Sequence, residues 1–405
     1  MNIIVSANSK YVRYLYVMLL SLLENNKGEN ISVYVMQCDF TEKDKSTIAE
    51  LVYVYGQNIK YLFVDVKQFI ALPTSEKFSY ETYFRLIMAE LLPKNVRKIL
   101  YLDVDIIVRG NLKQLYTNNI DKFIAGVCQD TDHPILEEDK QKLFQREGDL
   151  RYFNAGVMLW NVERLRQEFD FHRFLDAAKK LGYHLQYADQ EILNYLLYDK
   201  VFYLSDRKYN YMVRGDVKED DLLDNDVVIL HYAGCNPWQN GKKNDLYHIW
   251  WRYAKKTPFY VDLLEEQLWR EFGFGSEKEA EILRDVEWRE IYEHAFRLKG
   301  TGHIKKYLDH AGYYIGIYGA GKMAEVLYKL LFLDGLWDRV KAVVDWEKEG
   351  EFHDITIQKD ITRKDKILWI VTPVYRTQTI INDLRGRPNV SYDIISLREW
   401  LKKIE

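Results

Sequence analysis

Cysteine is nearly absent. Cys38, Cys128 and Cys235 are widely separated and odd in number, which argues against a disulfide framework or a zinc knuckle and fits a reducing cytoplasm. Neither sign of charge dominates: 57 Lys+Arg against 61 Asp+Glu leave a formal net charge of -4, which gives no basis for bulk nucleic-acid binding. Long hydrophobic runs are also lacking. The longest, Tyr14 to Leu23, is too short to span a bilayer and reads as a buried helix. Met1 leads almost directly into Ile3-Ile4-Val5 without a basic n-region or cleavage site. No secretory leader is therefore expected, and any membrane contact should be peripheral. Internal repeats and low-complexity tracts are absent. Aromatics, by contrast, are plentiful: 31 Tyr and 10 Trp suit stacking on sugar rings or bases, although low-G+C codon usage would also enrich Tyr.

At 405 residues the chain is longer than one core usually organises, so two domains are expected. Asn2 to Ser6, Ile31 to Met36 and Ile59 to Val66 read as strands, while Tyr16, Leu19, Leu20 and Leu23 share one helical face. A helix from about Tyr80 to Leu91 should stop before Pro93, and Lys98 to Val108 reads as one strand. Further strands are expected at Phe123 to Val127, Val157 to Trp160, Val201 to Leu204 and Val227 to His231. Helices fall near Glu163 to Leu181 and Asp189 to Leu197. This rhythm predicts an α/β fold with a mainly parallel sheet and ligands at the carboxyl ends of its strands. From Leu246 to roughly Gly300 the pattern changes to Trp, Tyr and dense mixed charge at helical spacing, a helical connector, and a second α/β pattern begins at Tyr313.

The most informative segment is Tyr101-Leu102-Asp103-Val104-Asp105-Ile106-Ile107-Val108. Period-two alternation puts both carboxylates on one face of a strand, where unpaired they repel and resist ionisation. A divalent cation resolves the conflict, and oxygen ligands suit Mg²⁺ or Mn²⁺ that completes its shell with substrate phosphates. The alternative is a strand end where both carboxylates reach water or pair with Lys98 or Arg109. His231 closes a strand in Val228-Ile229-Leu230-His231-Tyr232-Ala233-Gly234, as a third ligand or as a satisfied structural histidine. Gly234 and Pro237 mark a loop whose backbone N–H groups could approach a pyrophosphate, and Trp238 either caps the site or packs.

Three further segments accompany these: Thr82-Tyr83-Phe84-Arg85-Leu86, Tyr152-Phe153-Asn154-Ala155-Gly156-Val157 and Tyr187-Ala188-Asp189-Gln190-Glu191-Ile192-Leu193-Asn194. Taken in order with Leu102-Asp103-Val104-Asp105 and His231-Tyr232-Ala233-Gly234, they make roughly the first three fifths of the chain resemble the retaining glycosyltransferases of family 8. That family includes bacterial lipopolysaccharide galactosyl- and glucosyltransferases and glycogenin. The resemblance implies a GT-A (nucleotide-diphospho-sugar transferase) fold, a UDP-hexose donor, and Mn²⁺, or Mg²⁺, held by Asp103, Asp105 and His231. It places Ser6, Ala7 and Asn8 against the uridine, with Asn8 departing from the acidic residue common there. It gives Arg85 and Asp189 to the donor sugar, and Val104, Asn154, Ala155, Gly234 and Trp238 to the rest of the donor site. Gln190 would lie beside the anomeric carbon and Asp130 would face donor and acceptor, so Gln190, Asp189 and Asp130 form the catalytic set. The family's loop commonly continues into Lys-Pro-Trp, whereas here it is one residue shorter and reads Asn236-Pro237-Trp238. Lys77, Lys242 or Lys243 would then balance the diphosphate charge. From the residues alone, Asp189 also reads as an N-cap for Gln190 to Leu197, and Arg85 as a surface ion-pair partner.

Tyr314-Ile315-Gly316-Ile317-Tyr318-Gly319-Ala320-Gly321-Lys322-Met323-Ala324 is a strand running into Gly-x-Gly-x-x-Ala at a helix start, a dinucleotide-binding form. Asp345 follows the strand Val340 to Val344, near where a ribose-binding acid would fall. The short remainder, with strands near Ile367 to Thr372 and Asp393 to Ile395, supplies no second half and no hydride-handling residues. NAD(P) is not expected, and the module reads as a docking or homo-oligomerisation element. Tyr247, Trp250, Trp251, Arg252, Tyr253, Lys255 and Lys256 suit either a lipid headgroup surface presenting a lipid-linked acceptor or packing between domains. The expected organisation is a GT-A domain over 1–260, a helical connector over 261–305 and a half-Rossmann-like domain over 306–405. The expected activity is metal-dependent, retaining transfer of glucose or galactose from a UDP-sugar to a glycan, lipid-linked or glycoprotein acceptor. Two alternatives stand beside it. One is a noncatalytic nucleotide-sugar-binding regulator, for which the lost lysine argues. The other is a sugar nucleotidyltransferase, which should carry an N-terminal Gly-rich basic loop that Ser6-Ala7-Asn8-Ser9-Lys10 does not provide.

Overall fold

Short runs rich in Ile, Val, Tyr and Leu, bounded by polar residues, become strands because each is long enough to cross a sheet and too short for a buried helix. In the computed structural model they are β1 (Asn2–Ser6), β2 (Ser32–Gln37), β3 (Asn58–Phe63), β4 (Lys98–Leu102), β5 (Ile106–Val108), β6 (Ala125–Gln129), β7 (Phe153–Asn161), β8 (Val201–Leu204), β9 (Tyr211–Met212) and β10 (Ile229–His231). Residues 1–74, 79–130, 143–144, 151–182, 185, 187–214, 219, 222, 226–239, 244, 246–272, 286–361, 367–386 and 393–405 are described. They pack as two compact units, Met1–Thr257 and Pro258–Glu405.

In the first unit, seven strands form a sheet ordered β3-β2-β1-β4-β7-β6-β8, and β5-β10-β9 form a smaller second sheet. The large sheet is parallel except at β7, which runs antiparallel to both β4 and β6. Ile4, Tyr34, Ile99, Tyr101, Met158 and Trp160 share one core with Phe174, Ala178, Ile192 and Leu193 of the helices Phe171–Leu181 and Asp189–Leu197. The carboxyl ends of β1, β4 and β6 therefore open beside the start of helix Asp189–Leu197.

Lys98 to Val108 is not one strand. β4 ends at Leu102, β5 starts at Ile106, and Asp103, Val104 and Asp105 make the turn between them. The Asp103 N–H donates to Gly156 O on β7 at 2.9 Å, and Asp105 O accepts from the Tyr232 N–H at 2.9 Å. The turn carries the chain from the first sheet into the second, where β5 pairs antiparallel with β10. Charge is thus moved out of the pleat, which alternation alone did not foresee. Likewise Tyr80 to Leu91 is a 3₁₀ segment, Tyr80–Leu86, followed by one α-turn, Met88–Leu91. Tyr83, Phe84, Arg85 and Leu86 are all buried, a burden that a one-faced amphipathic helix does not carry.

The indoles of the aromatic and basic segment lie in the first unit's own interior, while Arg252, Lys255 and Lys256 are exposed. Trp250 and Trp251 of the helix Tyr247–Ala254 are buried, and the Tyr253 hydroxyl accepts from Asn25 Nδ2 at 2.9 Å. Trp238 stacks on Tyr14 with ring centroids 4.1 Å apart. Burial takes these indoles out of any headgroup contact, because membrane anchoring requires them at the surface.

In the second unit β11 (Tyr314–Tyr318), β12 (Val340–Val344), β13 (Glu351–Phe352), β14 (Ile355–Gln358), β15 (Ile367–Val371) and β16 (Asp393–Ser396) are ordered β13-β14-β12-β11-β15-β16. All neighbours are parallel except β13 with β14. Leu264, Ile291, Tyr292, Ala295 and Leu298 share a core with Ile315, Ile317, Leu327 and Leu330. The stretch expected to be a connector thus supplies helices, Tyr260–Phe272 and Val286–Leu298, that complete this unit's core. Among the described residues no helix is long and apolar enough to cross a membrane.

Candidate functional site

Asp103 and Asp105 reach the site from the turn after β4, and His231 from the end of β10, whose partner in the ladder is Ile106. His231 Nε2 lies 3.2 Å from Asp105 Oδ1 and 3.9 Å from Asp103 Oδ2. One ligand atom from each residue falls within 4.8 Å of the others. Burial disfavours the charged imidazole, but Asp105 and Asp103 outweigh it and hold its pKa above the ordinary value. Nδ1 is engaged elsewhere, 2.8 Å from Asn210 Oδ1. The three groups could together hold a metal ion.

Gly156 forms the floor. A Cβ there would lie 2.2 Å from His231 Cε1 and 2.8 Å from Asp103 Oδ2, so these two groups approach β7 more closely than a side chain at this position would permit. Two carboxylates and one imidazole suit a six-coordinate ion such as Mn²⁺ or Mg²⁺ with further positions left for substrate oxygens.

Arg85 is buried beneath this corner, its side chain 4% exposed. Its Nη2 donates to Asp103 Oδ1 at 2.9 Å, its Nη1 donates to Ala155 O, and its Nε lies 2.8 Å from Asp189 Oδ2. Its guanidinium also rests 4.1 Å above the Tyr101 ring, and the Tyr101 hydroxyl donates to Asp103 Oδ1 at 2.9 Å. Arg85 is therefore a clamp within the protein rather than a surface ion-pair partner. Complete burial pushes the Asp189 carboxyl up to about 7, against the pull of Arg85. The N-cap position of its helix is Ala188, at φ +50°, so Asp189 is the first helical residue instead.

Beside the clamp runs a ladder of amides. Gln190 Oε1 accepts from Asn154 Nδ2 at 3.0 Å and from the Ala155 N–H at 2.9 Å, and Gln190 Nε2 donates to the Tyr152 hydroxyl at 3.2 Å. Asn154 Oδ1 accepts from the Gly156 N–H and from Asn210 Nδ2, each at 2.9 Å. Asn194 locks the helix to β7, donating to Phe153 O and accepting from the Phe153 N–H at 2.9 Å each.

A cleft of ≈ 680 Å³ opens at the carboxyl ends of β1, β4, β6 and β10. Ser6, Ala7 and Asn8 form one wall, Asp103, Val104, Asp105 and His231 the centre, and Asp130, Asn154, Ala155, Asp189 and Gln190 the other side. Arg85 and Gly234 also border it, whereas Trp238 does not: it is buried between Tyr14 and Trp250. On two walls Ser6 Oγ, Asn8 Oδ1 and both Asp130 carboxylate oxygens are buried with no hydrogen-bond partner among the described residues. Arg214 Nη1 stands 4.0 Å from Asp130. Among the described residues, Arg85 and Arg214 are the arginines bordering the cleft, and no lysine does so. Lys77, Lys242 and Lys243 lie outside the described residues. Asn210 and Arg214 escaped the sequence reading because neither sits in a motif: they flank β9, a two-residue strand with no periodic signal.

In the second unit the glycine-rich turn is closed on itself. Asp345 Oδ2 accepts from the Ala320 N–H at 2.7 Å, and its Oδ1 accepts from the N–H groups of Glu347 and Lys348 at 2.8 and 2.9 Å. Burial alone would raise this carboxyl, but those N–H groups and Lys348 hold it below its ordinary range. A Cβ at Gly319, φ +94°, would lie 2.7 Å from Pro373 Cδ, and Thr372 Oγ1 donates to Gly319 O at 2.6 Å.

Comparison with known proteins agrees with this geometry. The family described as Glycosyl transferase family 8 matches residues 2–241. A putative glycosyltransferase of Haemophilus influenzae is 29% identical over 65% of this chain and 86% of its own length. A lipopolysaccharide 1,2-glucosyltransferase of Escherichia coli is 26% identical over 72% of this chain and 83% of its own. Among solved structures, the galactosyltransferase LgtC in complex with donor and acceptor sugar analogues superposes with a TM-score of 0.57 at 25% identity, over 64% of this chain and 96% of LgtC. The first unit has the GT-A fold of these enzymes.

Proposed function

The chain belongs to glycosyl transferase family 8, and on that premise we propose that it transfers glucose or galactose, with retention of anomeric configuration, from a UDP-sugar to a glycan acceptor. The observation that carries this reading is the convergence of Asp103, Asp105 and His231 within 4.8 Å at the centre of the cleft. These three would hold a divalent ion, Mn²⁺ by preference, and a bound ion would supply Lewis-acid stabilisation of the leaving diphosphate. The relatives support both sugars, one being a glucosyltransferase and another a galactosyltransferase.

The chain's own groups divide the remaining work. Ser6 and Asn8 offer unmet polar atoms to the nucleoside. Gln190 is unsuited to attack the sugar, because its amide oxygen already accepts two hydrogen bonds. One N–H of its Nε2 goes to Tyr152, which leaves the other to donate to the departing oxygen as it gains negative charge. Asp189, paired with Arg85, would orient sugar hydroxyls rather than form a glycosyl-enzyme. Attack by the acceptor hydroxyl on the face the diphosphate leaves, with the departing phosphate oxygen taking the proton, then accounts for retention. Arg214 is the cation we assign to diphosphate charge in place of the lysine absent from the Asn236-Pro237-Trp238 loop.

UDP release from UDP-glucose and UDP-galactose, measured with and without Mn²⁺, tests the reading. Wild type should release UDP only with the ion, and Asp103→Ala should lose about 100-fold or more. Metal-independent release, or release unchanged in Asp103→Ala, would overturn it.

A further inference from the structure

The amide ladder has a direction, and that direction reaches the imidazole. A backbone N–H can only donate, so the Gly156 N–H at 2.9 Å fixes which end of Asn154 is oxygen. Asn210 must then present Nδ2 to that oxygen, as it does at 2.9 Å, which leaves Asn210 Oδ1 to face His231 Nδ1 at 2.8 Å. An oxygen there accepts, so Nδ1 carries the proton and Nε2 is the nitrogen turned to Asp103 and Asp105. At the other end the Ala155 N–H fixes Gln190 in the same way. Four side chains, His231, Asn210, Asn154 and Gln190, are therefore set in one hydrogen-bonded order by two backbone donors on β7.

We propose that Asn210 is a positioning residue that keeps His231 in the Nδ1–H tautomer and joins the ion-holding corner to Gln190. The proposal rests on the functional reading above. Asn210 is 3% exposed and lies just before β9, beside the β10 strand that carries His231. Its backbone already closes the preceding helical turn, the Asn210 N–H donating to Asp206 O at 2.9 Å. That local duty needs no side chain. The carboxamide serves the contacts across the site, because it alone among side chains of its size offers one acceptor and one donor on opposite sides. Loss of such a partner typically weakens metal binding by about 10- to 100-fold.

Two substitutions in the full chain separate the two ends of this residue. Asn210→Ala removes both contacts, whereas Asn210→Asp still accepts from His231 but cannot donate to Asn154. Without an ion Nε2 faces the Asp105 carboxylate and also carries a proton, so Nδ1 is the readout: ¹H–¹⁵N spectra of metal-free protein should show a hydrogen-bonded, exchange-protected His231 Nδ1–H in wild type and Asn210→Asp, and its loss to exchange in Asn210→Ala. Free Mn²⁺ followed by electron paramagnetic resonance, with UDP present, should show affinity reduced about 10- to 100-fold in Asn210→Ala and near wild type in Asn210→Asp. The aspartate variant should instead lose kcat for donor hydrolysis, because Asn154 and Gln190 lose their alignment. An alanine variant that folds with a wild-type Nδ1–H signal and Mn²⁺ affinity overturns the assignment, as does an aspartate variant with unchanged kcat. If Asn210→Ala does not fold, the Nδ1–H signal and kcat of Asn210→Asp decide. Wild type that binds no Mn²⁺ in the presence of UDP would count against the functional reading, while the Nδ1–H spectra would still test Asn210.

Discussion

At Gly156 there is no room for a single added methyl group beside His231 and Asp103. Gly156→Ala would press on His231 and Asp103, so we expect Mn²⁺ affinity to fall at least tenfold and stability to fall by about 1–3 kcal/mol, read by calorimetric titration and urea denaturation. Wild-type affinity in a folded Gly156→Ala protein would contradict the geometry. Arg214 supplies a second residue-scale prediction. Arg214→Gln should raise KM for the UDP-sugar about tenfold, or ~1.4 kcal/mol, if the guanidinium meets diphosphate, and an unchanged KM and kcat would return that role to other side chains. Much at this scale was legible in the sequence. Asp103, Asp105, His231, Asn154 and Gln190 stood in ordered segments, and the fold brings them to one cleft. Trp238 did not follow, since an indole beside a glycine loop packs as readily as it caps. Asn210 and Arg214 were invisible because their work depends on neighbours remote in sequence.

At the scale of elements, strands were legible and turns were not. β1, β8 and β12 match their expected spans, because period and apolar content fix them. The break at Asp103 to Asp105 was hidden because the residues on both sides of it, Leu102 and Ile106, are equally strand-forming. The glycine-rich turn after β11 likewise has the motif of a nucleotide loop, yet Asp345 already accepts from the Ala320 N–H of that turn and from the N–H groups of Glu347 and Lys348 in its own loop. We therefore expect NAD⁺ and NADP⁺ to leave the thermal unfolding of the full chain unshifted. Asp345→Asn should cost on the order of 1 kcal/mol near neutral pH, since the carboxylate bonds are replaced by weaker ones. The sign of its pH dependence follows from a lowered native pKa. The carboxylate's contribution is present above its ordinary value of 3.8 and is lost as pH falls through the still lower native value. The stability gap between wild type and Asp345→Asn should thus close below about pH 4, and a gap that instead widened there would refute this account.

For the whole molecule, every group assigned to the cleft lies within Met1–Thr257, while Pro258–Glu405 carries its own core. A chain ending after Thr257 should accordingly retain Mn²⁺-dependent release of UDP within about tenfold of the full protein. A folded fragment without that activity would show that the second unit takes part in turnover. The turn that holds Asp103 and Asp105 is also the point at which the chain passes from one sheet to the other, and His231 faces it from the second sheet. An ion gripped there would cross-brace the two layers and resist unfolding in proportion to its own binding strength. Scarcity of the metal would then shorten the protein's lifetime as well as slow its chemistry.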